Sequence, residues 1–480
     1  MGEDSSITLQ HYLESEVQRR SMPTPVTPAD FLHILRANTR VRPYTDKDYL
    51  DRIAQVAYER YMAQHVAGDA PTMIIVPMPL TRQQTDHLLG NRRNYVMVFG
   101  AESIYFQDTV HAFATDALCS GGVNVLGVHM DWLSSDDASV ERAALMDSDG
   151  TVKEVAFRES VPIHIVQILH LPLKGERQLH RVLSFRFHDA GIPQINPYVD
   201  SSERADDKAR THSLWEQYER KIVSPKYTLI PQDSSTEEIS ERLRVFVEDA
   251  GLSDVVVQPN KGTEGYRVED FHIETDLTLA VKYIEEQILA EDDVIVRERR
   301  GNVRFKKIPL SPPSPKGIFE FLNVTFRVNI AWNGSEFVAE SGYAQVAKDE
   351  ETFPASRGRG GAIVDINEAL SSLYYRKNKG WSRLIPVDED VEAMKIAAIN
   401  AAYALNAGLS EENYLKCMGV DILLEMTADG TSAVNVIPVA LEANPRPAGL
   451  SHSSEIVGIS HKDPQQRIST EIFRFVSSCI

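Results

Sequence analysis

Four short runs of almost unbroken apolar residues limit the kind of core this chain can build: TMIIVPMPL (72–80), YVMVFG (95–100), VNVLGV (123–128) and PIHIVQIL (162–169). They are rich in Val, Ile and Met with little alternation. That pattern predicts strands buried on both faces, as in an α/β sheet with parallel strands. The polar stretches between them are long enough for helices. Ahead of them, LHILRA and LDRIAQVAYERYMAQ place apolar residues at three- and four-residue spacing, which predicts helices within residues 1–70.

A chain of 480 residues exceeds what one core supports and suggests about three domains of roughly 150 residues. Charge narrows the partners: 50 Lys and Arg against 69 Asp and Glu give −19, which opposes binding to nucleic acid. The longest apolar runs are far below membrane-spanning length, so no membrane partner is expected. Cys119, Cys417 and Cys479 are odd in number and widely spaced. They suit neither a disulfide framework nor a zinc site, and with the acidic, polar start MGEDSSITLQ they point to a reducing cytoplasm.

Beyond residue 190 the pattern changes. Gly191, Pro193 and Pro197 punctuate a turn, and a polar run feeds a helix beginning near Asp206. SPKYTLI (224–230) predicts a strand. STEEISERLRVFVEDAG (235–251) predicts a helix, with Ser235 and Glu238 as a capping box and Gly251 at the C-cap. DVVVQP (254–259), the loop KGTEG (261–265) and YRVED follow as strand, loop and strand, then the helix LTLAVKYIEEQIL (277–289) and the strand DVIVRE (293–298). This is a small α+β module. PLSPPSP (309–315) reads as an exposed loop. From 319 an alternating run surrounds Asn333-Gly334, a strong hairpin signal. A helix (387–408) and two strands, CMGVDILLEM (417–426) and AVNVIPVALEAN (433–444), complete the pattern, with a turn at Ala428-Asp429-Gly430.

The last two strands carry the sharpest chemistry. Glu442 and Asn444 are two apart, so on a strand they share a face, and Asp421 projects near them if the strands pair. Three oxygen donors without Cys or His suit Mg²⁺ or Mn²⁺ bridged to phosphates. The alternative is a solvated hairpin face, but the apolar ILL and VIPVAL imply burial, and buried carboxylates need a cation. Elsewhere the readings stay open. Gly262 and Gly265 with Lys261 can cradle phosphate or form a plain turn. Lys208 can meet an anion or sit on a solvated helix start. Arg327, Arg357, Arg359 and Arg446 can fork onto phosphate or carboxylate, although Arg357 and Arg359 equally suit a surface loop. His452 can be an acid–base group or a surface residue. No GxSxG, HExxH or GxxxxGK[ST] motif is present, which leaves serine hydrolase, zincin and P-loop readings without support.

In this order, INP…DDK, the strand–glycine-loop–strand DVVVQPNKGTEGYRV, the strand VIVRERR and the Glu-x-Asn pair resemble the ATP-grasp superfamily of carboxylate–amine ligases, over roughly residues 190–455. The resemblance implies a three-domain α/β and α+β architecture: an α/β N-terminal domain (1–205), a central subdomain (206–292) and a C-terminal subdomain (293–480), with ATP bound between the last two. It implies that Lys208 contacts phosphate, that the glycine loop covers the triphosphate, and that the segment around Arg297, Glu298 and Arg300 meets adenine. Asp421, Glu442 and Asn444 would hold Mg²⁺, while Arg327, Arg446, Arg357 and Arg359 would act on substrate or transferring phosphate.

Two positions depart from the pattern. Gln258 stands where a second phosphate lysine is usual, and Arg297 where an acidic residue is usual. The implied reaction joins a small-molecule carboxylate, an amino acid or peptide among the possibilities, to an amine through an acyl phosphate. The implied assembly is a homodimer. A kinase acting on a sugar or polyol hydroxyl is the alternative reading, and a non-catalytic nucleotide-binding module the third.

Overall fold

The computed structural model describes residues 78–100, 107–120, 122–134, 138–148, 150–170, 177–261, 267–289, 293–307, 319–356, 359–377, 380–426, 436–446 and 470–478. The helices expected before residue 70, most of TMIIVPMPL, the proline-rich loop, Gly262, Gly265, Arg357, the 428–430 turn and His452 lie outside them. The chain divides into two compact units, Met1–Gln194 and Ile195–Ile480. Among the described residues no helix is long and apolar enough to cross a membrane.

In the first unit, α1 (Arg82–Leu89), β1 (Arg93–Phe99), α2 (Gln107–Ser120), β2 (Val123–His129), β3 (Ser139–Met146), β4 (Val152–Pro162), β5 (Ile165–Ile168) and α3 (Arg177–Asp189) follow one another. The sheet order is β4-β3-β2-β1-β5. β1 lies parallel to both β2 and β5, and β1 and β2 are nearly all buried, as unbroken apolar runs require. The sheet is not parallel throughout, however. β3 and β4 form an antiparallel hairpin on the β2 edge, closed where Gly150 N–H donates to the Asp147 carbonyl. Their half-exposed faces alternate polar and apolar residues, so they lack the signal that marks β1 and β2.

The second unit begins with two short helical segments, α4 (Glu203–Asp206) and α5 (Lys208–Gln217), and continues with β6 (Tyr227–Ile230), α6 (Thr236–Ala250), β7 (Asp254–Pro259), β8 (Glu269–His272), α7 (Ile273–Leu289) and β9 (Val294–Glu298). The strands form an antiparallel sheet, β6-β9-β7-β8, whose core packs Val255, Val257, Val294 and Val296 against Leu243 of α6 and Ile284 of α7. The α6 capping box forms through Ser235 and Glu238, and Gly251 ends that helix in the left-handed region at φ 65°. α7 starts four residues before the apolar periodicity does. It runs straight on from β8, where the Asp276 carboxylate accepts from the His272 N–H.

β10 (Val303–Lys307), β11 (Glu320–Trp332), β12 (Phe337–Val346), β13 (Ala362–Asp365), α8 (Ile366–Ser371), β14 (Leu373–Lys377), β15 (Gly380–Leu384), α9 (Asp388–Asn406), β16 (Cys417–Met426), β17 (Val436–Asn444) and α10 (Thr470–Ser478) build the remainder. β10, just ahead of the proline-rich stretch, pairs with β11 on one side and β14 on the other. β11 and β12 pair around Asn333-Gly334, where Gly334 takes φ 100°. The long β11 carries β10 beside its first residues and β16 beside Phe326–Ala331, which lays β16 and β17 at the sheet's edge. Pro438 is tolerated because β17 pairs through the ladder only with β16. The alanine-rich face of α9 (Ala398, Ala401, Ala402) is fully buried, and α9 packs on β17. The Asp390 carboxylate of α9 accepts from the Val436 N–H where β17 begins.

Candidate functional site

β16 and β17 bring Asp421 directly opposite Glu442, and Gly419 opposite Asn444. The register slips between Asp421 and Ile422, so Leu441 is an extra residue in the ladder. A bulge of this kind re-aims neighbouring side chains and releases a backbone carbonyl. Here the Leu441 carbonyl accepts from Arg297 Nη1 at 2.8 Å. Asn444 Nδ2 reaches Asp421 Oδ2 at 3.4 Å, so the three oxygen-bearing side chains converge.

The Arg327 guanidinium forks onto Asp421 from the neighbouring strand, with Nε 2.5 Å from Oδ1 and Nη2 2.7 Å from Oδ2. The β11–β16 register sets the two residues opposite one another. Both side chains are 7% exposed. Gly419 makes this approach possible, because a Cβ there would stand 2.5 Å from Arg327 Cδ. Burial pushes the Asp421 carboxyl up, to about 6, against the pull of Arg327. Burial also acts to raise Glu442, but Lys208, Arg297 and Arg327 outweigh it and hold that carboxyl below its ordinary value. Three cations thus surround two carboxylates, which leaves one positive charge in excess inside an acidic protein.

α5 delivers Lys208, which is 8% exposed. Trp215 on the same helix donates its indole N–H to the Ala401 carbonyl of α9, and Asp207 caps the helix by accepting from the Arg210 N–H. Asn260, at the end of β7, clasps the helix start. Its carbonyl accepts from Lys208 N–H, its Oδ1 accepts from Ala209 N–H, and its Nδ2 donates to Asp207. Lys261 stands 3.8 Å from the Asp207 carboxylate. His212, one turn beyond Lys208, is fully buried. Desolvation, with Arg297 and Lys208 nearby, holds it well below its ordinary pKa, so it adds no fourth cation.

The other expected residues are placed as follows. Arg297 extends from β9 with its Nη2 donating to Gln258 Oε1 at 2.8 Å. Arg300 forks onto Glu425 at 2.8 and 2.5 Å and reaches Glu298 at 3.3 Å. Arg446 forks onto Asp206 at 2.8 and 3.0 Å and lies 5.7 Å from the Tyr198 ring. Arg359 donates to the carbonyls of Phe353 and Val268, which ties its loop down rather than turning its fork outward. Arg446 and Arg359 are therefore both engaged by groups of the protein itself.

Sequence reasoning missed Asn196 and Asn260. Asn196, 3% exposed, donates to the carbonyls of Cys417 and Pro445 and accepts from Cys417 N–H, joining the start of β16 to the end of β17. Its one available signal is Asn-Pro at the edge of the turn. Asn260 carries no local signal at all.

The donor set fits a hard divalent ion. Glu442, the Asn444 amide oxygen and Asp421 offer oxygen alone; the Arg327 fork occupies one acceptor position on each Asp421 oxygen, and Asn444 Nδ2 takes a second on Oδ2. Among the described residues no set of three His, Cys, Asp or Glu stands ready for a metal, so the amide of Asn444 is needed to complete the set.

No family model and no curated protein sequence matches this chain. Solved structures do resemble it in outline. VanG D-Ala:D-Ser ligase from Enterococcus faecalis matches with a TM-score of 0.46 and 14% identity, over 80% of this chain and 100% of that one. D-alanyl-alanine synthetase A from Vibrio cholerae matches with a TM-score of 0.46 and 13% identity, over 80% and 99%. D-cycloserine synthetase DcsG matches with a TM-score of 0.45 and 12% identity, over 80% and 99%.

Proposed function

We propose that the protein is an ATP-grasp carboxylate–amine ligase. In this reading ATP lies between residues 206–292 and 293–480. A small-molecule carboxylate takes its γ-phosphoryl group to give an acyl phosphate and ADP, and an amine then displaces phosphate to form an amide. The observation that carries it is the opposition of Asp421 and Glu442 across β16 and β17, with Asn444 beside them and Arg327, Arg297 and Lys208 around them. A cationic, desolvated cluster with an oxygen-only donor set suits a polyanion that arrives with a divalent ion.

When bound, Mg²⁺ supplies charge stabilisation to the β- and γ-phosphates. Glu442 and Asn444 would hold it, with Asp421 completing the set. Arg327 keeps Asp421 ionised and fixed in orientation despite its burial. Lys208, held at the clasped N-terminus of α5, acts on Glu442 and would meet a phosphate brought beside it. The chemistry requires no protein nucleophile, in keeping with a sequence that offers none of the hydrolase motifs. A reducing cytoplasm and small-molecule partners go with this reading.

The test is to incubate the purified protein with MgATP and panels of amino acids, short peptides, other carboxylic acids, amines and polyols, reading ADP, phosphate and products by mass spectrometry. ADP and phosphate that depend on both an acid and an amine support the ligase. ADP with a stable phosphorylated hydroxyl makes the protein a kinase. Nucleotide that neither binds nor turns over removes both readings.

A further inference from the structure

We propose that Asn196 is a positioning residue for the divalent ion, acting through Asn444. Its side-chain amide completes the β16–β17 ladder where the backbone stops doing so. The proposal rests on the metal and nucleotide reading above and goes beyond it in assigning a role to a residue outside the donor set.

Asn444 is the last residue of β17, and its pairing with Gly419 is the last rung of the ladder. β16 nevertheless begins two residues earlier, at Cys417. The chain beyond Asn444 cannot continue the pairing. Pro445 has no N–H to donate, and Arg446 turns away to fork onto Asp206. A strand end without partners frays, and an amide on a fraying end holds a metal ion in no single geometry.

The Asn196 side chain takes the place of the next rung. Its Oδ1 accepts from the Cys417 N–H at 3.0 Å and its Nδ2 donates to the Cys417 carbonyl at 2.7 Å. That double exchange is the one two residues make in a hydrogen-bonded antiparallel pair. The same Nδ2 donates to the Pro445 carbonyl at 2.5 Å, one residue beyond Asn444. Asn196 is itself seated firmly, since the carbonyl of fully buried Ile195 accepts from the Lys416 N–H. The amide therefore ties the backbone on both sides of the Gly419–Asn444 rung. Its effect on an ion passes through Asn444, which the donor set cannot do without.

Asn406 provides a matched control. It is equally buried, and its amide also makes three bonds: Nδ2 donates to the Ala402 and Leu415 carbonyls at 2.8 and 3.4 Å, and Oδ1 accepts from the Leu415 N–H at 2.6 Å. Those bonds join α9 to the segment ahead of β16, and none reaches the end of β17. Either asparagine supports the fold. Of the two, Asn196 alone touches the residue next to Asn444.

Asn196→Ala, Asn196→Asp and Asn406→Ala are compared with wild type in three ways: urea unfolding, calorimetric titration with ATP under a chelator, and electron paramagnetic resonance of free Mn²⁺ titrated with protein and ATP. The proposal predicts that both Asn196 variants weaken Mn²⁺ binding to the ATP complex by roughly ten- to a hundredfold, as loss of a group that orients a metal ligand does. ATP affinity under the chelator should stay within about twofold, because no nucleotide contact is removed. Asn406→Ala should lose comparable stability yet keep its Mn²⁺ affinity within about twofold. Wild-type Mn²⁺ affinity in a folded Asn196 variant would overturn the proposal and leave the nucleotide reading intact. Equal weakening of Mn²⁺ in Asn406→Ala, an equal loss of ATP affinity under the chelator, or Asn196 variants that do not fold would overturn it in favour of a purely structural role. Wild type that binds no ATP, or binds it indifferently to Mn²⁺, would remove the metal and nucleotide reading itself, and this proposal with it.

Discussion

β16 presents two carboxylates that arginines grip in the same way, and the middle and the end of the strand use the grip differently. At one end, Arg300 holds Glu425, the Gly301 N–H donates to the same carboxylate at 2.7 Å, and Glu298 takes a second contact from the arginine. Ile437 lies opposite Glu425 in the ladder. The pair is about a fifth exposed. Four residues earlier, Arg327 holds Asp421 in a drier setting, but there a second carboxylate stands opposite, an amide approaches, and two buried donors nearby lack acceptors. An ion pair that closes its own hydrogen bonds is a strut. One embedded among unfilled donors and paired carboxylates is a candidate site.

The comparison breaks first if the two places respond alike to charge removal. Glu442→Gln should reduce ATP turnover about a hundredfold or more, because it removes stabilisation of transferring charge, and should also lower the melting temperature, because Lys208, Arg297 and Arg327 lose a carboxylate they hold below its ordinary value. Coupled phosphate-release and calorimetric scans check both. Asp421→Asn should be the costlier change for the fold. It leaves the Arg327 charge buried without its counter-charge, for which about 3–5 kcal/mol is the usual loss, measured by urea unfolding. At the strand's end, Glu425→Gln should cost about 1 kcal/mol or less, since its pair is partly solvated, and ATP affinity should hold within about twofold.

The smallest effect concerns pH. His212 has an ordinary value of 6.5 and lies well below it in the fold. Below about pH 6.5 the unfolded chain takes a proton there that the native state refuses, so stability falls as pH drops, and above it the two states bind equally. The stability difference between wild type and His212→Gln should therefore be flat from pH 8 to about 6.5 and slope below it. A flat difference down to pH 5 would mean that His212 is not held neutral.

What the sequence disclosed was what short-range patterns encode. Asn333-Gly334 announced its hairpin, Ser235 with Glu238 and Gly251 bounded their helix, and the two-residue spacing of Glu442 and Asn444 set them on one face opposite Gly419 and Asp421. What escaped it depends on strand order across the sheet. Arg327 meets Asp421 from 94 positions away, and Arg446 meets Asp206 from 240 away, because particular strands and turns become neighbours only after folding. The Leu441 bulge is equally silent in sequence, since nothing in VIPVALEAN distinguishes a slipped ladder from a regular one. Pairing and bulges decide which polar groups are satisfied at home and which are left for a ligand.

Calorimetric titration of the intact protein with ATP, once with Mg²⁺ and once with a chelator, addresses the central claim directly. Single-site binding that strengthens by roughly tenfold or more with the divalent ion, and loses that gain in Glu442→Gln, is the expected result. Binding that is absent, or indifferent both to the ion and to Glu442, would contradict it.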